Sequence, residues 1–381
     1  MNEKVVAVED ALGYFAAGGM VILVDDEDRE NEGDLTVAAQ TVTAKDVTFM
    51  ARKGRGLICL ALDHERVDKL GLKPMARVNT APFGTAFLNS IDARDKAKKG
   101  AGAEARAYTM RLVMSDDATP ALFHSPGHVF PLAAQPGGVL VRTGQTEGSV
   151  DLAKLSGLKG GAVICEVMRE DGTMMRLPEL LKFGKANGIP VLTVASIVAY
   201  RLKRESFVKQ VSQAHLPTEF GRFELHGFQS LLDGRSHVAL VAGEIDPEKP
   251  VLVRVHRANF PGDVLPLDGF DSRKKLKTAL KKIADEGTGV FVYLNREEKG
   301  EDLLKELKKG VAETGGISTV SKAVQNESNM TFRDYGIGVQ VLRALGVRKM
   351  RIMTDHPMNM PALEGFGVDC AETIPLTDEK E

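Results

Sequence analysis

Apolar and polar positions follow one another along the first half of the chain in a pattern that predicts strands and helices. Residues from Val5 to Gly18 have helical spacing and lead into Met20–Val24, a short apolar run typical of a buried strand. The pattern predicts these further elements in chain order: strands at Gly54–Leu62, Gly138–Arg142 and Gly161–Val167, a helix at Leu177–Asn187 closed by Gly188-Ile189-Pro190, and a strand from Ile189 to Val198 that continues as helix to Leu202.

The composition becomes polar and charged from Lys203 to His215, and we predict a linker of moderate stiffness in this stretch. The predicted organisation is a first domain at 1–203, the linker at 204–214, a second domain at 215–377 and a tail at 378–381. The second domain contains four predicted strands and one amphipathic helix: Ser236–Ala242, Val251–His256, Gly289–Leu294 and Lys349–Thr354 are the strands, and Ser272–Glu286 is the helix.

Composition and charge exclude several classes of protein. The chain has 381 residues, of which 27% are charged and 43% hydrophobic, and its formal net charge is -2. These values are ordinary for a globular protein of two or three domains and give no sign of a nucleic-acid partner. No apolar run approaches the ~20 residues of a membrane helix, and no signal peptide is recognisable. The three cysteines form no Cys-x-x-Cys pair, so we expect a cytoplasmic protein without disulfides or a membrane partner.

Seven carboxylates stand within the ten residues from Asp25 to Asp34, and Arg29 is the one cation among them. Like charges this close repel one another, and a divalent cation bound by hard oxygen ligands would relieve the repulsion. The alternative is a solvated acidic loop, which is what most charge runs are. Composition alone leaves both interpretations open.

Three other segments carry candidate chemistry, and each also has a simple structural explanation. His128, which follows a Pro-Gly pair, is either a reactive histidine or a hydrogen-bonded loop histidine. Glu166 ends a predicted strand, where a carboxylate could instead cap the next turn. The run from Arg142 to Glu147 combines a cation, hydroxyls and a glycine, which suits a phosphate or a polyol but also an ordinary turn.

Taken together, these segments resemble one enzyme family. Four stretches occur in the order found in 3,4-dihydroxy-2-butanone 4-phosphate synthase, over about residues 5–202: Val-Asp-Asp-Glu-Asp-Arg-Glu-Asn-Glu-Gly-Asp, Pro-Gly-His-Val-Phe-Pro-Leu, Gln-Pro-Gly-Gly-Val-Leu-Val-Arg and Glu-Asp-Gly-Thr-Met. The resemblance implies a lyase that converts D-ribulose 5-phosphate to the four-carbon precursor of riboflavin and releases formate. It also implies a divalent cation, Mg²⁺ or Mn²⁺, that bridges the sugar oxygens, and bases that move protons.

The resemblance assigns roles residue by residue. Glu30 would ligate the metal, and Arg29 would contact the substrate beside it. Asp34 would hold or deprotonate the sugar, while His128 and Glu166 would be the acid–base residues. The phosphate and metal side of the site would be lined by Arg142, Thr143, Gly144, Gln145 and Thr146.

Several positions in this half depart from the family pattern. Gln145 stands where the family has a second metal ligand, a histidine, and an amide oxygen is a weaker donor than imidazole towards Mn²⁺. Gly100, Ala103 and Arg106 keep their family identities. The other departures replace threonine by Lys99, serine by Gly102, aspartate by Ala105, arginine by Ser125 and tyrosine by Phe83.

Residues from about 215 to 377 resemble GTP cyclohydrolase II. The segments that carry the resemblance are Val251–His256, Gly262–Val264, Ala284–Leu294, Arg333–Gly338 and Leu345–Arg348. That family binds zinc through three cysteines, and the matching positions here are Asn259, Phe270 and Ser272. Tetrahedral zinc needs thiolate or imidazole donors. We therefore predict that this domain binds no zinc and has no cyclohydrolase activity.

Other positions of the second domain have also diverged. An acidic residue, a tyrosine and a lysine of the family are replaced by Thr331, Gly310 and Asn359. Five polar residues of the family pattern survive: Arg254, His256, Arg296, Glu298 and Arg333. They could bind a nucleotide, but the favoured interpretation is that they are surface residues.

The two resemblances imply an α+β protein of two domains with mixed sheets, forming a homodimer. Three hypotheses about function remain open. The first is a working synthase with an inactive second domain, which the intact acidic motif, His128 and Glu166 support. The second is a non-catalytic scaffold or regulatory partner of other riboflavin-pathway enzymes, which the losses in both halves support. The third is an enzyme for an altered phosphosugar or a nucleotide, to which the loop with Lys99 and Arg106 could adapt.

Overall fold

Two compact units, Met1–Arg201 and Leu202–Glu381, make up the chain, and each is built on its own mixed sheet. The computed structural model describes residues 5–27, 29–95, 100–265, 272–295, 332–355 and 368–376. The predicted fold class, two α+β domains with mixed sheets, is confirmed. No helix within these described ranges is both long and apolar enough to cross a membrane.

The first unit contains a sheet with the strand order β4-β5-β3-β6-β2-β1-β7. Its strands are β1 (Val21–Val24), β2 (Gly33–Ala38), β3 (Cys59–Leu62), β4 (Ile91–Ala93), β5 (Phe123–Ala133), β6 (Gly161–Glu166) and β7 (Val191–Thr193). Its helices are α1 (Val8–Ala16), α2 (Ala44–Phe49), α3 (His64–Lys69), α4 (Ala103–Val113), α5 (Gln145–Leu155), α6 (Leu177–Asn187) and α7 (Val194–Arg204), the last of which crosses the division between the units.

Apolar side chains cover both faces of this sheet. Val150 of α5 packs with Ile164 of β6 on one face. On the other face the core contains Val47, Met110 and Leu180, which belong to α2, α4 and α6. Strands with such two-sided burial read as continuous apolar runs, which is why β1 and β6 were predictable from the sequence.

Three of the predicted strands in this unit need correction. Gly138–Arg142 is not a strand, because Gly137 and Gly138 have φ values of 89° and 64°, a left-handed backbone that begins a 3₁₀ turn. In the predicted strand Gly54–Leu62, only Cys59–Leu62 is extended, since Met50–Gly54 forms a π-helical turn. The strand predicted from Ile189 ends at Thr193, where α7 begins.

The second unit contains a sheet with the strand order β14-β13-β11-β12-β10-β9-β8. Its strands are β8 (Val208–Thr218), β9 (Gly221–Ser230), β10 (Ser236–Ala242), β11 (Pro250–Arg257), β12 (Gly289–Leu294), β13 (Lys349–Met353) and β14 (Asp369–Ile374). Its helices are α8 (Phe260–Asp263), α9 (Ser272–Glu286) and α10 (Phe332–Ala344). The strand predicted at Ser236–Ala242 and the helix predicted at Ser272–Glu286 are confirmed.

The stretch predicted as a linker, 204–214, is mostly regular secondary structure, apart from residues 205–207. It holds the end of α7 and most of β8, which pairs with β9 along its whole length. β8 is an edge strand with exposed residues on both faces, so its side chains do not alternate between apolar and polar. The polar composition that predicted a linker is therefore the composition of a solvated edge strand.

Candidate active site

A short loop joins the antiparallel strands β1 and β2, and its first carboxylate holds it together. Asp25 is buried, and its Oδ1 accepts a hydrogen bond from the Glu32 amide at 2.8 Å. Its Oδ2 accepts one from the Glu30 amide at 3.2 Å and another from Arg29 Nη1 at 2.6 Å. This part of the acidic stretch is therefore a folded turn with an internal ion pair. Asp25 was not among the predicted site residues, because its role depends on backbone amides that only the folded turn brings to it.

Arg29 lies at the centre of this cluster. Nη1 donates to Glu30 Oε2 at 3.1 Å and to Gln145 Oε1 at 2.8 Å, and Nη2 donates to Glu30 Oε1 at 3.3 Å. Its guanidinium carbon lies 5.3 Å from the centre of the Phe83 ring, within cation–π range. The side chain is only 11% exposed. Arg29 therefore serves as the internal counter-ion of the acidic loop.

The two predicted metal ligands, Glu30 and Gln145, converge on one point, since both present an oxygen to Arg29 Nη1. Gln145 is the buried first residue of α5, and its Nε2 donates to the Glu32 carbonyl oxygen at 3.3 Å. Carboxylate and amide oxygens are ligands that Mg²⁺ accepts, so the donor types fit a hard cation. Among the described residues, no three His, Cys, Asp or Glu side chains are grouped as a metal centre.

Asp34 and Glu166 form a carboxylate pair on neighbouring strands, because they are direct cross-strand partners between β2 and β6. Burial, followed by the charge of Glu166, raises the pKa of Asp34 well above its ordinary value. Burial also raises the pKa of Glu166, whose Oε2 accepts a hydrogen bond from the Leu57 amide at 2.7 Å. Such a pair retains a proton at pH values where an isolated carboxylate has lost it. It can therefore act as acid and base in one place.

His128 lies on β5 and shares a face of the sheet with Glu166. Cys59 of β3 pairs with Phe130 on one side and with Ile164 on the other, so these three residues form one row across the sheet. His128 lies two residues before Phe130, and Glu166 lies two residues after Ile164. Both are displaced from that row towards the same edge of the sheet. Their strands are separated by β3, which corresponds to a backbone distance of about 10 Å. No hydrogen bond or ion pair joins His128 to the acidic cluster in the described part of the chain. The structure thus brings Asp34 and Glu166 together and leaves His128 at some distance.

Asp92 on β4 is a partner of His128 that the sequence did not indicate. Its Oδ2 lies 2.6 Å from His128 Nδ1, and its Oδ1 accepts a hydrogen bond from the His128 amide at 2.9 Å. The imidazole is 52% exposed. A carboxylate on Nδ1 fixes the ring orientation and leaves Nε2 for proton transfer. The pairing of β4 with β5 creates this contact between residues far apart in sequence.

Arg142 ties the start of α5 to the loop that precedes β4. Its Nε donates to the Phe83 carbonyl oxygen at 3.0 Å, and its Nη2 donates to Thr85 Oγ1 at 2.9 Å. Nη1 donates to Glu147 Oε2 at 2.5 Å, and this carboxylate is almost completely buried. The predicted ligand-binding arginine is therefore also a structural residue of the site.

Gly144 is the N-cap of α5, and two guanidinium groups approach it closely. A Cβ at this position would lie 2.5 Å from Arg142 Nη1 and 3.0 Å from Arg29 Nη2. Thr143 is exposed and Thr146 is buried on either side of this turn. A helix N-terminus flanked by two arginines favours a negatively charged group. One such group is already present in the chain, because Glu147 Oε2 would lie 3.0 Å from the same Cβ.

The replaced loop before α4 is described from residue 100 onward, and Lys99 lies outside the described residues. Gly102 is the N-cap of α4 and makes no side-chain cap bond, whereas a serine at this position would supply one. Ala105 is buried, and burial lowers the pKa of Arg106. Ser125 Oγ donates to the Ser90 carbonyl oxygen at 2.9 Å. At Gly102 and Ala105, the altered positions around the start of α4, the chain therefore has neither a hydroxyl nor a carboxylate.

In the second unit, a hydrogen-bonded network centred on Asp263 includes Ser272, one of the positions that the resemblance matches to a zinc-binding cysteine. Ser272 Oγ donates to Asp263 Oδ1 at 2.6 Å, and His256 Nε2 lies 3.0 Å from the same oxygen. The Tyr293 hydroxyl donates to Oδ2 at 2.8 Å. Burial opposes ionisation of Asp263, but the hydrogen bonds and charge of His256 and the bond from Ser272 outweigh it and lower the pKa of Asp263.

The other two zinc positions supply no thiolate either. Asn259 is the N-cap of α8, where its side-chain oxygen accepts a hydrogen bond from the Gly262 amide at 2.9 Å. Phe270 lies outside the described residues. Of the two described positions, Asn259 thus holds the backbone at the start of α8, and Ser272 donates a hydrogen bond to the Asp263 carboxylate.

Two of the surviving polar residues of this unit are not surface residues, so that interpretation is wrong for them. Arg254 is 8% exposed and donates through Nη1 to the Met353 carbonyl oxygen at 3.0 Å. His256 is 1% exposed and stacks against Phe291 and Tyr293, with ring centres 5.7 and 5.6 Å apart. The side chains of Arg296, Glu298 and Arg333, and the replaced positions Gly310, Thr331 and Asn359, lie outside the described residues.

Comparison with known proteins bears on both units. Residues 9–200 match the family model of 3,4-dihydroxy-2-butanone 4-phosphate synthase, and residues 209–375 match that of GTP cyclohydrolase II. Riboflavin biosynthesis protein RibBA of Aquifex aeolicus is 48% identical over 375 residues, which cover 98% of this chain and 92% of that protein.

Two solved structures are also similar. RibBX from A. baumannii, a two domain 3,4-dihydroxy-2-butanone 4-phosphate synthase, has a TM-score of 0.80 at 35% identity and covers 98% of this chain and 100% of its own. A 3,4-dihydroxy-2-butanone 4-phosphate synthase in complex with two magnesium ions has a TM-score of 0.51 at 37% identity, over 52% of this chain and 98% of its own. This chain therefore belongs to the 3,4-dihydroxy-2-butanone 4-phosphate synthase family of riboflavin biosynthesis, with a GTP cyclohydrolase II domain as its second half.

Proposed function

We propose that the first unit is a lyase that converts D-ribulose 5-phosphate to L-3,4-dihydroxy-2-butanone 4-phosphate and formate. We propose further that the second unit has no GTP cyclohydrolase II activity. The pair formed by the buried Asp34 and the half-buried Glu166, beside the converging oxygens of Glu30 and Gln145, carries the first proposal. The family match over residues 9–200 supports the same reaction.

The reaction needs proton transfer at neighbouring atoms of the sugar. Forming an enediol from a ketose requires a base that removes a proton from the carbon next to the carbonyl, and an acid that protonates the carbonyl oxygen. Asp34 and Glu166, with their raised pKa values, supply a carboxylic acid and a carboxylate side by side. His128, oriented by Asp92, supplies a second acid–base group on the same face of the sheet.

Glu30 and Gln145 would hold the divalent cation, Mg²⁺ or Mn²⁺. When bound, the cation would polarise the sugar oxygens and stabilise negative charge on them. The synthase structure with two magnesium ions supports a hard cation in this family. The oxygen donors of this chain suit such a cation, whereas the absence of the family's histidine at position 145 favours Mg²⁺ over Mn²⁺.

The phosphate group of the substrate would bind at the N-terminus of α5. The first amides of an α-helix point outward and carry partial positive charge. Arg142 and Arg29 flank this end, where both guanidinium groups lie against the buried Gly144. A phosphosugar is thus favoured over a neutral sugar.

The absence of cyclohydrolase activity rests on the loss of zinc ligands in the second unit. Asn259 and Ser272 offer neither thiolate nor imidazole, so no activated water would be available for opening the guanine ring. The A. baumannii relative, which matches this chain over its whole length, bears the name of the synthase alone.

A second candidate function is that of a non-catalytic scaffold or regulatory partner of riboflavin-pathway enzymes. The observation that favours it is the position of Arg29, whose guanidinium already satisfies both predicted metal ligands. A homodimer in the cytoplasm is also proposed, as the resemblance implies. Leu57 and Phe83, both beside the site, are 46% and 45% exposed and offer apolar surface that a second subunit could cover.

One assay separates the two candidates. Purified protein is incubated with ribulose 5-phosphate and Mg²⁺, and formate is measured. We expect formate from the wild type, none above background from Glu30→Ala, and a wild-type rate from Glu27→Ala, which removes an exposed carboxylate of the same loop. No formate from the wild type would favour the scaffold. In a parallel incubation with GTP, formation of the diaminopyrimidine product would refute the proposal for the second unit.

A further inference from the structure

The Arg29 guanidinium fills the point where the oxygens of Glu30 and Gln145 meet. Nη1 lies 3.1 Å from Glu30 Oε2, 2.8 Å from Gln145 Oε1 and 2.6 Å from Asp25 Oδ2. The Arg29 side chain is 11% exposed, and the Asp25 side chain is completely buried. The acidic cluster thus contains a cation of its own chain, held by three side chains.

A divalent cation and the Arg29 guanidinium cannot both occupy the point between Glu30 Oε2 and Gln145 Oε1, which Nη1 fills in this structure. Mg²⁺ binds oxygen at about 2.0–2.1 Å, closer than a hydrogen-bonded nitrogen. An ion within that distance of both Glu30 and Gln145 would press against Nη1, and two positive groups in a mostly buried site repel strongly. Either the guanidinium or the metal can therefore occupy this point, but not both.

We propose that Arg29 is an internal competitor of the metal, and that its guanidinium must leave Glu30 and Gln145 before a divalent cation binds. This rests on the metal ligands of the proposed function but not on turnover. The apparent dissociation constant of the metal is then raised by the reciprocal of the fraction of molecules in which Arg29 is displaced. If that fraction is about one in ten or less, the affinity falls by about ten-fold or more.

The test is a titration with Mn²⁺ in the absence of substrate, followed by electron paramagnetic resonance of the free ion. Arg29→Met keeps most of the side-chain volume and removes the competing group. We expect it to lower the dissociation constant for Mn²⁺ by about ten-fold or more, on the scale of changes around metal ligands. Arg55→Met serves as the control for loss of a positive charge, because Arg55 pairs with the exposed Glu170 and contacts neither Glu30 nor Gln145. We expect less than a three-fold change in this control.

Unchanged or weaker Mn²⁺ binding by folded Arg29→Met would overturn the proposal. Equal tightening in Arg55→Met would also overturn it, because it would indicate a general effect of charge. A measurement on the wild type covers the case in which Arg29→Met does not fold. With ¹⁵N-labelled arginine, the wild type without metal should give a nuclear magnetic resonance signal from the slowly rotating Arg29 guanidinium. Saturating Mg²⁺ should remove this signal, because the guanidinium leaves its partners. A spectrum without that change contradicts the proposal. Formate release is not used in this titration, so an inactive protein that binds metal would refute the function and leave the competition intact.

Discussion

The two units of this protein each contain a place where their families are expected to hold a metal, and the two places have diverged in different ways. In the first unit the charged oxygen donors remain, and a buried arginine lies among them. In the second unit the described donor positions have become Asn259 and Ser272, and hydrogen bonds connect them to the surrounding backbone and to Asp263.

The buried aspartates of the two sites have pKa values that are shifted in opposite directions. The pKa of Asp34 is raised, because burial and neighbouring carboxylates oppose its ionisation. The pKa of Asp263 is lowered, because hydrogen bonds from His256 and Ser272 outweigh the effect of burial. An acid that is left uncompensated is typical of a site kept for chemistry, whereas a fully satisfied one is typical of a structural network. The comparison thus supports the proposed proton-transfer role of Asp34 and a structural role for Asp263.

The largest expected effect is on catalysis in the first unit. Glu166→Gln keeps the size of the side chain but cannot exchange a proton, so we expect formate production to fall by about a thousand-fold. The matched control is Glu170→Gln, whose side chain is 92% exposed and which should retain the wild-type rate. A Glu166→Gln enzyme within ten-fold of the wild type would show that the carboxylate pair does not carry the proton transfers.

The next effect is on the stability of the second unit. Asp263→Ala removes the acceptor of several buried hydrogen bonds, and we expect it to lower the free energy of unfolding by about 3 kcal/mol. Urea unfolding followed by circular dichroism measures this, with the exposed Asp285→Ala as control. A zinc chelator should leave the wild-type transition unchanged. A large loss of stability on chelation would mean that the second unit is held together by metal after all.

The smallest effect concerns the pH dependence of stability in the first unit. Because the folded-state pKa of Asp34 is raised, the folded state binds more protons, and stability falls as the pH rises from about 4 towards the folded pKa, by about 1.4 kcal/mol per pH unit. Asp34→Asn removes this slope, so we expect the variant to be more stable than the wild type at pH 8 and closer to it at pH 5. Equal stability of the two proteins at pH 8 would contradict the raised pKa.

Local sequence signals predicted the helices and strands in which buried apolar residues recur at a regular spacing. The helix Leu177–Asn187 was predicted to the residue, since its capping glycine and following proline mark the end. The prediction of a strand at Gly138–Arg142 was wrong, because an apolar run does not reveal the left-handed backbone at Gly137 and Gly138. The strand Val208–Thr218 was missed because both of its faces are exposed, and only its pairing with β9 makes it extended.

The candidate site was predictable in its residues but not in its arrangement. The acidic motif and the family resemblance indicated Glu30, Asp34 and Glu166, and the sheet register brings the last two together. The pairing of Asp92 with His128 and the contact of Arg29 with both metal ligands depend on strands and helices that are distant in sequence. No spacing rule within a single segment contains that information.

Asp25 has a kinetic consequence that follows from its two hydrogen bonds to backbone amides. Those bonds form when the chain folds, so the turn between β1 and β2 has its shape before a sugar arrives. Binding of the proposed substrate then requires no ordering of this segment. The conformational entropy of the turn is lost during folding and not during binding. Association with the turn should proceed in a single step at a rate proportional to sugar concentration, without the plateau that a slow loop closure would impose.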